Sequence, residues 1–207
     1  MCGEFKKYFP NLTNEQFSNL LKLKEIYDHW NSMINVISRK DMDNFYTHHV
    51  LHSLAIAKVV DFMPGTTILD VGSGGGFPGI PLAILFPESE FTLLDSIEKK
   101  IKVITAVKNE LNLKNVTPLR KRIKEEKNRY HFVISRAVMK FPEFVKTTRK
   151  NIHTNSVNKI QNGIICLKGG DLTEELAPFA ERVKTYDTNV FFDNQFFETK
   201  KIVYFPI

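Results

Sequence analysis

Thr66-Thr-Ile-Leu-Asp-Val-Gly-Ser-Gly-Gly-Gly-Phe-Pro-Gly79 is the stretch that decides the fold. Thr66 to Val71 is a short β-rich run, and the glycines after it let the backbone turn sharply and approach a ligand with no Cβ in between. Ile80 to Phe86 then reads as a helix, with Pro81 in its first turn and Pro87 after it. A strand ending in an acidic residue, followed by glycines and a helix, builds a nucleoside-binding loop, and Asp70-x-Gly72-x-Gly74 has that form. A dinucleotide site would want Gly-x-Gly-x-x-Gly starting right after the strand, to cradle a pyrophosphate at the helix N-terminus. Counted from Gly72, the last position is Phe77. Counted from Gly74, the pattern closes through Gly76 and Gly79, but it sits late and puts Pro78 and Pro81 into the phosphate-binding turn, so the dinucleotide reading is the weaker one.

Working outward, Glu90 to Asp95 reads as a second strand. Asp95 stands 23 residues after Gly72, where an acidic side chain can accept hydrogen bonds from both ribose hydroxyls of either cofactor class. A helix follows with Ile97, Ile101, Ile104, Val107 and Leu111 on one face. Val116–Leu119, His131–Ser135 and Ile164–Lys168 are further strands, with helices at about Phe141–Lys150 and Thr173–Val183, so strands and helices alternate as in a parallel sheet. The last stretch, Asn189–Asp193 and Lys201–Phe205 around Asp193-Asn-Gln, lacks a helix and reads as an antiparallel hairpin. Residues 151–163 read as a long polar surface loop. Upstream, Thr13-Asn-Glu-Gln16 is a capping box opening an amphipathic helix through Phe17, Leu20, Leu21, Tyr27, Trp30 and Ile34, and a second helix spans Asp41 to Val59 before Pro64-Gly65. The expected architecture is therefore α/β and Rossmann-like. It has a seven-stranded, mostly parallel sheet with an antiparallel C-terminal hairpin over residues 65–207, and an N-terminal helical extension over residues 1–64, all within one structural domain.

The chain has 207 residues, 43% of them hydrophobic and 25% charged, which suits one soluble domain with a sizeable core. No apolar run approaches the roughly 20 residues needed to span a bilayer, so no membrane association is expected. Cys2 and Cys166 form neither a metal spacing nor a disulfide framework, no signal peptide opens the chain, and a cytoplasmic location is expected. The formal charge of +6 favours polyanionic partners such as RNA or DNA, although a merely solvated basic surface has the same composition.

The run Asp70-Val-Gly-Ser-Gly-Gly-Gly-Phe-Pro-Gly-Ile-Pro-Leu82 resembles the bacterial 16S ribosomal RNA guanine-N7 methyltransferases of the RsmG or GidB type, with Phe-Pro-Gly-Ile-Pro the specific part. Trp30-Asn31 with Asn35, Leu94-Asp95-Ser96 with Lys99-Lys100, Asn115-Val116, Ser135-Arg136-Ala137, Leu167-Lys168-Gly169 and Glu174-Glu175-Leu176 extend the resemblance over nearly the whole chain. It implies a Rossmann-like class I enzyme that moves a methyl group from S-adenosylmethionine to N7 of a guanine in the small-subunit RNA, naked or assembled into a particle. It also implies that Gly72 and Phe77 line the cofactor, that Ile123 and Lys124 touch its adenine, that Asp95 takes the ribose, and that Arg136 sits at the mouth shared by cofactor and substrate. Gly74 and Ser96 complete the candidate cofactor set. Three positions depart from the family pattern: His48-His49 in place of Arg-His, His52-Ser53 in place of Asp-Ser, and Lys124 where an acidic residue is usual, with Glu125 and Glu126 placed to compensate.

Guanine N7 carries a free lone pair, so its methylation needs alignment and a suitable field instead of a general base. No acid–base dyad is visible. Ser-Arg-Ala stands where amino-group methylation would call for Asp-Pro-Pro-Tyr, and Cys166 lies in an apolar strand, which suits core packing better than nucleophilic attack. Arg136 is the candidate catalytic residue, by positioning and electrostatics, because a guanidinium at a strand end can bind a guanine edge, a phosphate or a carboxylate. Arg39, His49, Lys99, Lys100 and Lys168 are candidate RNA contacts, beside the basic run Arg120–Lys124 and the cations of Lys127–Arg129. For His49, a packed structural role stands equally beside RNA contact. The remaining alternatives are another acceptor (a different RNA, a protein or a small molecule), a non-catalytic cofactor-binding module, and a dinucleotide-dependent reductase. A single chain is expected to act alone, with no metal.

Overall fold

The computed structural model describes residues 2–136 and 138–207; Met1, the side chains of residues 2–4 (Cys2 among them) and Ala137 of the Ser-Arg-Ala motif lie outside what is described. Seven strands form one sheet: β1 Thr67–Val71, β2 Glu90–Asp95, β3 Val116–Arg120, β4 Phe132–Arg136, β5 Gly163–Gly169, β6 Lys184–Asp187 and β7 Lys200–Pro206. Their order is β3-β2-β1-β4-β5-β7-β6. β1 to β5 pair in parallel, and β7 runs antiparallel between β5 and β6. The strand order therefore reverses between β1 and β4, and in an open parallel sheet the crevice beyond the carboxyl ends at that point is where ligands bind.

Period-2 alternation sorts the strands onto two faces. Ile68, Leu93, Ile134, Ile165 and Leu167 enter one core cluster; Leu69, Val71, Leu94, Val133, Ile164 and Cys166 enter the other. Helices cover both faces, and the first cluster is shared with the N-terminal helices. α1 (Cys2–Tyr8) and α2 (Asn14–Met33) precede the sheet, and α2 starts at the expected capping box, with Gln16 N donating to Thr13 Oγ1 and Thr13 N to Gln16 Oε1. Leu20, Leu23 and Tyr27 of α2 are fully buried against α4 (Gly79–Leu85). At its C-terminus Asn31 closes the turn, accepting from Val36 N and Ile37 N and donating to Ile37 O. The helical extension and the sheet thus share one core.

Four expectations need correction. Residues 39–58 are not one regular helix. A 3₁₀ segment, Arg39–Asn44, leads into a π-helical segment, Phe45–Leu51, then a single α turn, α3 (His52–Leu54), and another 3₁₀ turn, Ala55–Lys58. Widened π turns are common at functional sites, and here Phe45 and His49 both face Phe77, with ring centroids 5.9 and 5.4 Å away. α5 (Glu98–Glu110) begins one residue after Ile97, which is 48% exposed instead of joining the apolar face. The helix expected at Thr173–Val183 is only α7 (Thr173–Leu176) plus a 3₁₀ turn, Ala177–Phe179, because Pro178 cannot continue an α-helix. Likewise α6 (Phe141–Thr148) passes into a 3₁₀ turn at Arg149–Asn151.

The fourth correction concerns the terminal hairpin, which exists but with a different first strand. The partner of β7 is β6, not Asn189–Asp193, and residues 188–190 and 195–199 are 3₁₀ turns. The phenylalanines there are apolar because they plug the core. Phe192 and Phe197 stack at 4.4 Å and are almost fully buried, and Phe192 meets Tyr8 of α1. β6 is an edge strand with Lys184, Thr185 and Asp187 exposed, so it leaves no apolar signature.

Candidate cofactor site

A cavity of about 720 Å³ opens beyond the carboxyl ends of β1, β2 and β4, a size suited to a cofactor. Val71 and Gly72 from the β1 turn, Leu94 to Ile97 after β2, Lys121 to Lys124 after β3, and Arg136, Val138 and Met139 after β4 line it, with Lys100 of α5. Gly72 has φ +68°, and a Cβ there would lie 2.6 Å from Val138 Cγ2, so both conformation and space exclude a side chain. At Gly79 a Cβ would come within 2.9 Å of Leu93 and the Asp70 carboxylate; the bare backbone instead donates from Gly79 N to Asp70 Oδ2 at 2.9 Å, binding α4 to β1. Complete burial pushes the Asp70 carboxyl up to about 7, and its Oδ1 has no partner.

Asp95 holds the rim. Its Oδ2 accepts from Gly74 N at 3.0 Å and its Oδ1 from Ile97 N at 2.9 Å, with Lys100 Nζ 3.7 Å from Oδ2. Each carboxylate oxygen keeps a lone pair for a ligand hydroxyl. The carboxylate therefore also shapes the two turns that frame the cavity. Ile97 and Ile123 give the same end apolar surface.

Arg136 ends β4 with its guanidinium 5.1 Å over the Phe77 ring. NH1 donates to His48 O and NH2 to His49 Nδ1, both at 3.2 Å. Burial lowers the guanidinium to about 10, which leaves it charged at neutral pH. Phe77 rests in turn on Tyr27, 4.9 Å away, whose hydroxyl donates to Gly75 O. The glycine turn and the arginine are thus supported from behind by the N-terminal extension.

Of the sequence-derived candidates, Gly72, Asp95, Ser96, Ile123, Lys124 and Arg136 line the cavity together. Phe77 does not; it is 3% exposed and forms the layer beneath Arg136. Gly74 contributes its N–H to Asp95 and is outside the lining. The acidic compensation expected for Lys124 is absent: neither Glu125 nor Glu126 lines the cavity, and Glu126 is fully buried against Lys121 at 3.1 Å. Among the RNA candidates, Lys100 lines the cavity, while Arg39 and Lys99 are exposed outside it. Lys168 is not displayed as a cation for phosphate, because Nζ donates to Glu175 Oε1 at 2.6 Å and to Met139 O at 2.7 Å. His49 is likewise buried, with both ring nitrogens engaged by Asp41 and Arg136. Sequence reasoning missed Ile97, Val138 and Met139 as wall residues, whereas Lys121 and Arg122 come from the basic run it had singled out. Ile97 and Val138 are large apolar residues left exposed at the cavity wall. Cys166 is buried core, its thiol pushed up to about 12 by that burial.

Two buried imidazoles make stability depend on pH. Burial, then the Arg136 charge, lowers His49 to about 4 against the opposing pull of Asp41; burial also takes His52 well below its ordinary value. Unfolding frees both to take up protons below roughly pH 6.5, so their contribution is complete above that value and is lost as pH falls toward 4. Asp70 acts in the opposite sense between about 4 and 7, since its folded form holds a proton that the unfolded chain releases. The two buried imidazoles, joined by the partly buried His131, which burial also lowers, outweigh the one carboxyl, so stability falls on acidification. The melting temperature is expected to fall between pH 6.5 and 4.5; a constant or rising value in that window contradicts this balance.

The family model GidB, "rRNA small subunit methyltransferase G", matches residues 16–202. Proteins called ribosomal RNA small subunit methyltransferase G from Bacteroides fragilis, Bacteroides thetaiotaomicron and Flavobacterium johnsoniae are 53%, 54% and 54% identical to this chain. The first two alignments cover 97% of this chain and 98% of the relative, the third 99% and 97%. Among solved structures, a SAM-dependent O-methyltransferase from Thermotoga maritima superposes with TM-score 0.59 at 14% identity, covering 81% of this chain and 70% of that one. A precorrin-6y C5,15-methyltransferase from Geobacter metallireducens gives 0.56 at 12%, covering 84% and 92%. These two show a shared Rossmann-like fold. With its glycine turn, Asp95 and Arg136 in place and the family model matched along nearly its whole length, the chain belongs to the GidB family, the rRNA small subunit methyltransferase G proteins.

Proposed function

We propose that this protein transfers the methyl group of S-adenosylmethionine to N7 of a guanine in the 16S RNA of the small ribosomal subunit. The observation that carries the reading is the composition of the cavity: five cationic side chains and one carboxylate line it, with no histidine, cysteine or tyrosine. That lining suits a phosphate-bearing acceptor whose nucleophile needs no deprotonation. The cofactor fits the same walls. Asp95 keeps free lone pairs for ribose hydroxyls, the bare Gly72 backbone admits close approach, and Ile97 and Ile123 offer apolar surface for adenine.

When bound, S-adenosylmethionine supplies an electrophilic methyl group on a sulfonium. The chain supplies position. Arg136 has three N–H groups beyond those given to His48 and His49, and a guanidinium is the commonest partner of guanine O6. Held on O6, it leaves the N7 lone pair free to face the methyl. Arg122 and Lys124, both exposed, are available for backbone phosphates at the rim. We propose that it acts as a monomer, and a ribosomal substrate supports a cytoplasmic location.

The test is calorimetric titration with S-adenosylmethionine and with nicotinamide dinucleotides, followed by transfer of labelled methyl to naked 16S RNA and to 30S particles. Binding of the first ligand alone, with label in RNA, is the expected result. Dinucleotide binding without S-adenosylmethionine binding, or label that never enters RNA, overturns the reading.

A further inference from the structure

Behind the cavity, Asp41 presents one carboxylate oxygen to each of two imidazoles. Oδ1 lies 2.5 Å from His48 Nδ1 and Oδ2 lies 2.7 Å from His49 Nε2. The other nitrogen of His49, Nδ1, lies 3.2 Å from Arg136 NH2. A guanidinium can only donate, so Nδ1 must be the lone-pair nitrogen. The one proton of the neutral ring is then on Nε2, where Asp41 accepts it. The opposite tautomer would set N–H against N–H at Arg136 and leave a carboxylate oxygen facing a lone pair, and only the first arrangement satisfies every group.

We propose that Asp41 is a positioning residue for Arg136: it accepts the Nε2 proton of His49 and anchors that ring, which, with the His48 carbonyl, fixes the guanidinium on the Phe77 face at the cavity wall. Asp41 does not line the cavity and touches neither the glycine turn nor Asp95. Its influence on the reaction therefore passes through Arg136. Phe45 stacks on His49 at 6.1 Å, and the Asp41 contact is the hydrogen bond that fixes the ring on its Nε2 side. The activity arm of this proposal rests on the transfer reaction proposed above; the tautomer arm does not.

The first arm is ¹⁵N-detected NMR of the imidazoles near pH 7. His49 is expected to show a protonated Nε2 and a lone-pair Nδ1 in the wild-type protein, and in Asp41→Ala an Nε2–H that has lost its carboxylate acceptor and exchanges faster with solvent. A protonated Nδ1 in the wild type overturns the proposal. The second arm is kinetic. Asp41→Ala is expected to lower kcat about 10- to 100-fold, the scale of a misplaced positioning group, while KM for S-adenosylmethionine changes less than about threefold because the Asp95 and Gly72 contacts stand.

Asp41→Asn should recover most of kcat. The amide oxygen can face His49 while its NH2 faces His48, which is partly exposed and can carry its proton on Nε2. In an Arg136→Ala background, Asp41→Ala should cost nothing further, since both changes remove the same effect. Wild-type kcat in Asp41→Ala, or full additivity with Arg136→Ala, overturns the proposal, and if Asp41→Ala does not fold, Asp41→Asn and the wild-type spectrum still decide it. A wild-type protein with the expected tautomer but no transfer to RNA would sink the proposed reaction and leave the tautomer assignment standing.

Discussion

Arg136→Ala is expected to lower methyl transfer to small-subunit RNA by about 10²–10³-fold, the loss typical when one preorganised donor is removed from a reacting centre. The guanidinium joins the Phe77 layer, the His48–His49 segment and the cavity wall at one point. Truncation strands two acceptors, His48 O and His49 Nδ1, at a cost of about 1–3 kcal/mol, but it also removes a buried charge, so the fold should persist. Arg136→Lys should be nearly as inactive. An ammonium is a point charge and cannot hold both acceptors while presenting a planar fork to a base. Transfer assays beside thermal melts check this, and full activity in Arg136→Ala would show that the arginine has been misassigned.

The second large effect is expected at Asp95. Its two oxygens each hold one backbone N–H, of Gly74 and of Ile97, and the remaining lone pairs are the proposed ribose acceptors. Hydrogen bonds to a charged group are worth about 1.5–3 kcal/mol each, so losing two predicts a rise in the S-adenosylmethionine Kd of about 10²–10⁴-fold in Asp95→Ala. Asp95→Asn is expected to give little relief. One of its two terminal atoms becomes an NH2, which must point at a backbone N–H. Calorimetric titration measures both variants, and a Kd within a few-fold of wild type in Asp95→Ala would place the ribose elsewhere.

The legible parts of the chain were those in which local chemistry and tertiary role agree. The β1 turn and Asp95 could be read because a glycine with φ +68° and a carboxylate closing two turns leave their mark on residue type and spacing. The capping box of α2 and the alternation of buried strands were legible for the same reason. The terminal strand was misplaced because an edge strand such as β6 carries little apolar signal, whereas the Phe191–Phe192 and Phe196–Phe197 pairs are apolar for packing against α1 and the 45–58 segment.

The sequence leaves His49 open between RNA contact and packing and makes Lys168 an RNA contact. The residues that engage them, Asp41 and Glu175, are eight and seven positions away, beyond the three- and four-residue spacings at which side chains pair along a helix. The division at residue 64 also conceals a dependence. Tyr27, Phe45 and His49 of the extension hold Phe77 and Arg136 in place, so we propose that the extension is part of the catalytic unit and not an accessory to it.

The central claim is that the methyl group goes to guanine N7, a nucleophile that needs no base. The direct measurement is nuclease digestion of small-subunit RNA methylated by this protein, with mass-spectrometric identification of the labelled nucleoside. The account predicts 7-methylguanosine from a single site. Label on an exocyclic amine, a pyrimidine carbon or a ribose hydroxyl would contradict it, because each of those acceptors must lose a proton and, among the described residues that line the cavity, no histidine, cysteine or tyrosine stands to take it.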